Sequence, residues 1–125
     1  MQTEVTMGFL DWLGRKWAKE LDLATVDSVL GAEALAAEGK LAPLYLVPLR
    51  FGGQDMPMNR VFVPASVVER KEHHDETIDG LVKDHKADGY SCTPEYRDGS
   101  VVPFRLDGMA TEEGIPVYSW SIDVW

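Results

Sequence analysis

Leu46–Val68, LVPLRFGGQDMPMNRVFVPASVV, decides how this chain is to be read. Leu44, Leu46 and Leu49 lead into Phe51-Gly52-Gly53, and Val61–Val63 follow, so two short apolar runs flank a Gly-Gly pair. Glycine reaches positive φ without steric cost, so the pair marks a sharp reversal between two strands. Asn59 is placed either to hydrogen-bond the backbone of that loop or to touch a metal ion, and the simpler reading is a turn stapled by Asn59. Pro64 fixes its own φ and suits the first turn of a helix. The stretch reads as strand, turn, strand, helix.

On the N-terminal side, Gly8 to Leu21 places Phe9, Leu10, Leu13, Trp17 and Leu21 at helical spacing, with Arg15, Lys16 and Lys19 opposite. That pattern predicts an amphipathic helix docked on the protein's own core rather than on a membrane. Asp27 is the expected N-cap of a second helix, Ser28 to Glu38, closed by Gly39 in the C′ position. Its apolar residues Val29, Leu30, Ala34 and Ala37 are small enough for close packing. Leu41 to Leu49 is the next strand, placed at an edge by Pro43 and Pro48, and Arg60 to Val63 is its partner.

Beyond Pro64 a helix is expected through about Lys86, with Val67, Val68, Ile78, Leu81 and Val82 on one face. Glu69, Glu72, Asp75, Glu76 and Asp79 cover much of the rest as a solvated acidic face. Three strands follow. Tyr90 to Tyr96 puts Tyr90, Cys92, Pro94 and Tyr96 on one side, and Asp98-Gly99 is a hairpin turn signal. Val101 to Leu106 returns, Asp107-Gly108 begins another turn, and Pro116 to Trp125 alternates. Tyr118, Trp120, Ile122 and Val124 then face the core, with Ser119, Ser121 and Asp123 outward. The fold class is α+β: one domain over 1–125, with N-terminal helices in 1–40, then a central helix packed on an antiparallel β-meander.

A chain of 125 residues buries a core without disulfides or structural metal. No apolar run approaches the roughly 20 residues that span a bilayer, and the start lacks a basic segment followed by an apolar one, so a cytoplasmic protein is expected. The single cysteine, Cys92, excludes an internal disulfide and a multi-cysteine zinc site. The formal net charge is -9. Residues 64–88 hold seven acidic residues against four basic, and residues 89–125 six against two, so the acidity lies in the second half. Such a field repels phosphate backbones, speaks against nucleic acid, and favours a basic partner.

Candidate chemistry is sparse. His73-His74-Asp75 is the one histidine cluster, but neighbours on a helix point about 100° apart, whereas a metal pair needs i, i+3 or i, i+4 spacing. A solvated charged face is the expectation there, including Lys71 and Asp75, with no metal. His85 falls at the helix end, where a histidine suits the macrodipole. Cys92 alternates with aromatics and reads as a small buried apolar residue. Glu112 and Glu113 sit in a turn and read as exposed. No phosphate-cradling loop is present, and no cofactor is expected.

From about Leu44 onward the chain resembles the C-terminal half of the DNA/RNA non-specific endonuclease domain of bacterial polymorphic toxins, a ββα-metal nuclease fold. Arg50-Phe51-Gly52-Gly53, Asn59 with its apolar pair and Pro64, and Pro94 to Gly108 (PEYRDGSVVPFRLDG) carry the likeness. The resemblance implies a general-base histidine near Tyr45 and a metal-binding asparagine near Val68, and both are replaced. Tyrosine, with a pKa of about 10, is a poor base at neutral pH, and valine offers Mg²⁺ no oxygen. The resemblance therefore implies a scaffold without catalytic residues: an acidic partner-binding protein of the immunity type, neutralising a basic protein toxin. Glu69, Glu72, Asp75, Glu76 and Asp79 are its candidate contact residues. The alternatives are a metal-dependent nuclease acting through His73 or His74, and a structural accessory domain.

Overall fold

A computed structural model describes residues 21–125; the helix expected over Gly8 to Leu21 lies outside them, apart from its last residue. The described chain runs α1 (Val29–Ala37), β1 (Ala42–Tyr45), β2 (Arg60–Val63), α2 (Ala65–Lys83), β3 (Gly89–Glu95), β4 (Arg105–Glu112) and β5 (Ile115–Asp123). β1 and β2 form an antiparallel pair, and β3-β4-β5 an antiparallel meander. α2 packs against β5 and β1 and so joins the two sheets. The class is α+β, with a central helix on a β-meander.

α1 is capped by Ser28 rather than Asp27: the Ser28 hydroxyl accepts from the Gly31 N–H at 3.0 Å. Gly39, at φ +77°, closes it in the C′ position. The Lys40 N–H reaches Leu35 O at 2.9 Å and the Gly39 N–H reaches Ala36 O at 3.0 Å, the paired bonds of a Schellman ending. The face is not the expected one. Val29, Leu30, Ala34 and Ala37 are exposed, whereas Ala32 is fully buried and Leu35 and Ala36 pack beside it. VLGAEALAA is apolar nearly all round, so spacing alone could not choose a side.

β1 covers only the first part of Leu41 to Leu49, because Pro48 opens a 3₁₀ turn over Leu49–Phe51. The loop that follows is clipped by Asn59, whose Oδ1 accepts from the Val47 N–H and whose Nδ2 donates to Val47 O and Gln54 O, each at 2.9 Å. Gly52 takes φ +92°, and at Gly53 a Cβ would stand 1.9 Å from Val47 O. The Gly-Gly pair and the asparagine staple both hold.

The meander departs from expectation in its middle strand. Asp98-Gly99 does turn, with φ of 57° and 73° and the Ser100 N–H on Arg97 O at 3.1 Å. Val101 to Phe104, however, remain loop: Val102 is buried in a second core cluster with Val26, Ala32 and Leu41, and Pro103 has no N–H for a ladder. β4 begins at Arg105, so Asp107-Gly108 lies inside a strand and not in a turn. The β4–β5 reversal is Glu113-Gly114, with φ of 52° and 80°, a type I′ hairpin. Gly108 serves packing instead: a Cβ there would lie 1.9 Å from the Trp120 ring that crosses it. β5 alternates as read, with Trp120 and Ile122 buried, Tyr118 half-buried, and Ser119, Ser121 and Asp123 exposed.

The main core joins Leu44, Val61 and Val63 from the small sheet, Val67 and Ile78 from α2, and Leu106, Ala110 and Ile122 from the meander. Truncating the fully buried Ile122 to alanine is expected to cost about 2–5 kcal/mol. Gly108→Ala, which adds one methyl against Trp120, is expected to cost about 1–3 kcal/mol. Urea unfolding of both variants checks this; a loss below about 0.5 kcal/mol for either would remove that residue from the core contacts assigned to it.

Candidate functional site

The acidic helix does not present its charges as one solvated face. Val67, Lys71, Asp75 and Ile78 recur on the side of α2 turned to the core, and all four are buried. The Lys71 ammonium donates to Asp75 Oδ2 at 2.6 Å, and the Tyr90 hydroxyl donates to Asp75 Oδ1 at 2.6 Å. The ammonium also lies 5.4 Å from the Tyr90 ring centroid and 6.0 Å from that of Trp120. Asp75 is therefore withdrawn from the surface set, and Lys71 with it. The signal in the sequence is an i, i+4 lysine–aspartate pair continuing an apolar stripe, which the spacing of apolar residues alone does not show.

Burial explains the neighbouring titrations. The Tyr90 phenol is pushed well above its ordinary pKa, first by desolvation and then by its bond to Asp75. Burial pushes the Cys92 thiol up to about 12, so it is protonated at neutral pH and fits the expected small apolar residue. His74 turns inward while His73 stays exposed, as helical geometry requires. Its ring stacks on Trp120 at 5.1 Å and 8°, and its Nδ1 shares a 2.7 Å hydrogen bond with the Tyr118 hydroxyl. His74 is thus half-buried rather than solvated, and burial lowers its pKa. The His85 side chain is exposed, and its backbone takes φ 57° just beyond the helix end.

A cleft of about 350 Å³ opens beside this network, between Tyr45 and Arg50 on one wall and Val68, Lys71 and Glu72 on the other. Arg50 donates to Glu72 Oε1 at 2.9 Å across its mouth, which holds the guanidinium above its ordinary pKa. Tyr45 donates to Asp55 at 2.9 Å, and that bond raises its pKa further. Val68 packs against the main core, and the Asn59 amide is engaged by its own loop. Among the described residues, no three histidine, cysteine, aspartate or glutamate side chains converge on one metal-sized point. No described helix is long and apolar enough to cross a membrane.

Of the five expected contact residues, Glu69, Glu72 and Glu76 are exposed and Asp79 is partly so. Glu72 is held by Arg50, and Asp79 by Lys83 at 2.8 Å. Glu69 and Glu76 pair with no described cation. Of the five carboxylates, these two are the ones left exposed without a described cation.

Lys71→Met leaves Asp75 buried without its cation and is expected to cost about 3–5 kcal/mol, whereas pairing it with Asp75→Leu restores much of the loss. Urea midpoints of the single and double variants check this, and equal losses would count against a coupled pair. The lowered pKa of His74 also sets a sign: below about 6.5 the unfolded chain takes up its proton before the folded one does. This contribution is complete above that pH and is lost as pH falls towards the folded-state value. His74→Gln should flatten that part of the stability curve between about pH 7.5 and 5; an unchanged slope would remove His74 as its source. Comparison with protein-family models, with curated proteins and with solved structures finds no match for this chain.

Proposed function

We propose that this chain is a non-catalytic, acidic partner-binding protein, and that it neutralises a basic bacterial toxin in the manner of an immunity protein. The observation that carries the reading is how its polar groups are spent. Tyr45, where the nuclease resemblance looks for a general base, is committed to Asp55, and Asn59, the side chain placed either to bond its loop or to touch a metal, is committed to loop backbone. Val68, where that resemblance looks for a ligand, is committed to packing. The charge left on the surface is mainly negative, and it includes Glu69 and Glu76 on α2. A field of that sign raises the encounter rate with a cationic protein and falls off with salt.

The test is co-expression with the product of the gene adjacent to its own, followed by size-exclusion chromatography and a growth assay. Co-elution and rescue of growth are expected. Reversal of Glu69 and Glu76 to lysine should slow association about tenfold or more, as should raising salt from about 0.05 to 0.5 M, which shortens the Debye length roughly threefold. These two residues are preferred to Glu72, whose reversal also breaks its bond to Arg50. Absence of a complex rejects the partner; a complex indifferent to both changes rejects capture by this helix. Cleavage of plasmid by the purified chain with Mg²⁺ or Mn²⁺, abolished by His74→Ala, would overturn the non-catalytic reading itself.

A further inference from the structure

Aspartate followed by glycine is prone to rearrange through its own backbone, because glycine puts no side chain between the aspartyl Cγ and the next amide nitrogen. The chain holds four such pairs, Asp79-Gly80, Asp88-Gly89, Asp98-Gly99 and Asp107-Gly108, and the fold restrains three of them. Gly80 lies inside α2, and the Asp79 carboxylate is held by Lys83 at 2.8 Å. Gly89 opens β3, and the Asp88 carboxylate accepts the Glu113 N–H at 3.2 and 3.3 Å. Asp107 and Gly108 lie within β4, and Asp107 Oδ1 accepts from the Ser121 hydroxyl at 2.7 Å.

Asp98-Gly99 has none of these restraints. Both residues are exposed at the corner of a tight turn, with φ of 57° and 73°. Among the described residues, no cation or hydrogen-bond donor engages the Asp98 carboxylate, and the Gly99 N–H meets no acceptor. A Cβ at Gly99 would find nothing within 4 Å, so the peptide has room to swing towards the carboxyl. In a helix or a paired strand that swing must first break the surrounding structure. Here only the Ser100 N–H on Arg97 O, at 3.1 Å, closes the turn.

We propose that Asp98-Gly99 is a modification site, at which the chain converts to isoaspartate and thereby loosens the attachment of residues 21–41. The Gly99 nitrogen attacks Cγ of the protonated Asp98 carboxyl. A C–N bond forms, and the carboxyl hydroxyl leaves with the amide proton as water. Water then opens the cyclic imide at the former main-chain carbonyl and breaks that C–N bond, so the backbone now runs through Cβ and Cγ. No electrons are exchanged, and the water lost in the first step returns in the second. The rerouted main chain is one carbon longer and no longer fits the turn closed by Ser100. The next residues carry the ties to the N-terminal side: the buried Ser100 hydroxyl donates to Leu23 O at 2.6 Å, and the Val101 N–H to Val26 O at 2.8 Å.

The test incubates the purified full chain for weeks in mildly acidic buffer at body temperature. Isoaspartate is read by methyl transfer from labelled S-adenosylmethionine with a protein isoaspartyl methyltransferase. It is located by digestion with endoproteinase Asp-N, which leaves the Arg97–Asp98 bond uncut once Asp98 has converted. Conversion at Asp98 is expected at least about tenfold faster than at Asp79, Asp88 or Asp107, where helix or sheet must open first. Asp98→Asn, which suits the same turn, should reach the same imide faster, with loss of ammonia. Asp98→Glu should block conversion, because its ring is larger and slower to close. Glu113 holds φ 52° in the β4–β5 turn, so glutamate tolerates this backbone. In ¹⁵N spectra of the converted chain the amide resonances of Leu23, Val26 and Val101 should shift, while those of α2 stay in place.

No isoaspartate at Asp98, or equal amounts at the three restrained pairs, would overturn the site. So would an Asp98→Asn chain that keeps its ammonia, since the imide is then out of reach in this turn. Isoaspartate at Asp98 with unshifted Leu23 and Val26 resonances would overturn the coupling to residues 21–41. The same shifts in an incubated Asp98→Glu chain would overturn that coupling too, by assigning them to another change.

Discussion

The buried contact of Lys71, Asp75 and Tyr90 constrains everything around it. A carboxylate and an ammonium removed from water lose hydration worth several kilocalories per mole each, and recover it only in close geometry. Here the recovery needs α2 at one rotation and one height over the meander, because the third partner, Tyr90, stands on β3. A hydrophobic stripe alone tolerates sliding by part of a turn; this arrangement does not. Val67 and Ile78 bracket the pair on the same face and supply the favourable burial against which its desolvation is set.

The same placement orders its neighbours. His74, one residue before Asp75, is carried onto Trp120 and Tyr118. Trp120 in turn occupies the space over Gly108. On the other side, Glu72 reaches Arg50 and so ties the helix to the turn after β1. One helix therefore holds the two sheets together through polar contacts at three positions within one turn, Glu72, His74 and Asp75, and a mixed charged and apolar face does what an all-leucine face does elsewhere.

Much of this was legible in the chain. The boundaries of β2, the Asn59 staple, the alternation of β5 and the α+β order followed from turn chemistry and from period-two and helical spacing, signals that belong to a few adjacent residues. The misreadings share a physical origin. In α1 the composition was apolar on all sides, so only tertiary packing could choose Ala32 over Val29 and Leu30. Asp107-Gly108 has the composition of a turn, yet the glycine is there because Trp120, a partner twelve positions away, needs the space. Lys71 and Asp75 were assigned to solvent because charged residues usually are. Their burial depends on a tyrosine fifteen residues downstream of the aspartate.

The division of the core into two clusters has a consequence for how the chain opens. The first, centred on Val63, Ile78, Leu106 and Ile122, is closed by the helix and the meander. The second joins Val26, Ala32 and Leu41 to Val102, and among the described residues its polar ties across the chain are the Val101 N–H on Val26 O and the Ser100 hydroxyl on Leu23 O. These contacts span more than seventy residues of chain yet involve only the stretch ahead of β1. Residues 21–41 thus have the character of a separate cooperative unit, able to detach while the helix–meander core remains whole. Amide protons of α1 would then exchange through a partial opening at lower free energy than those of β4.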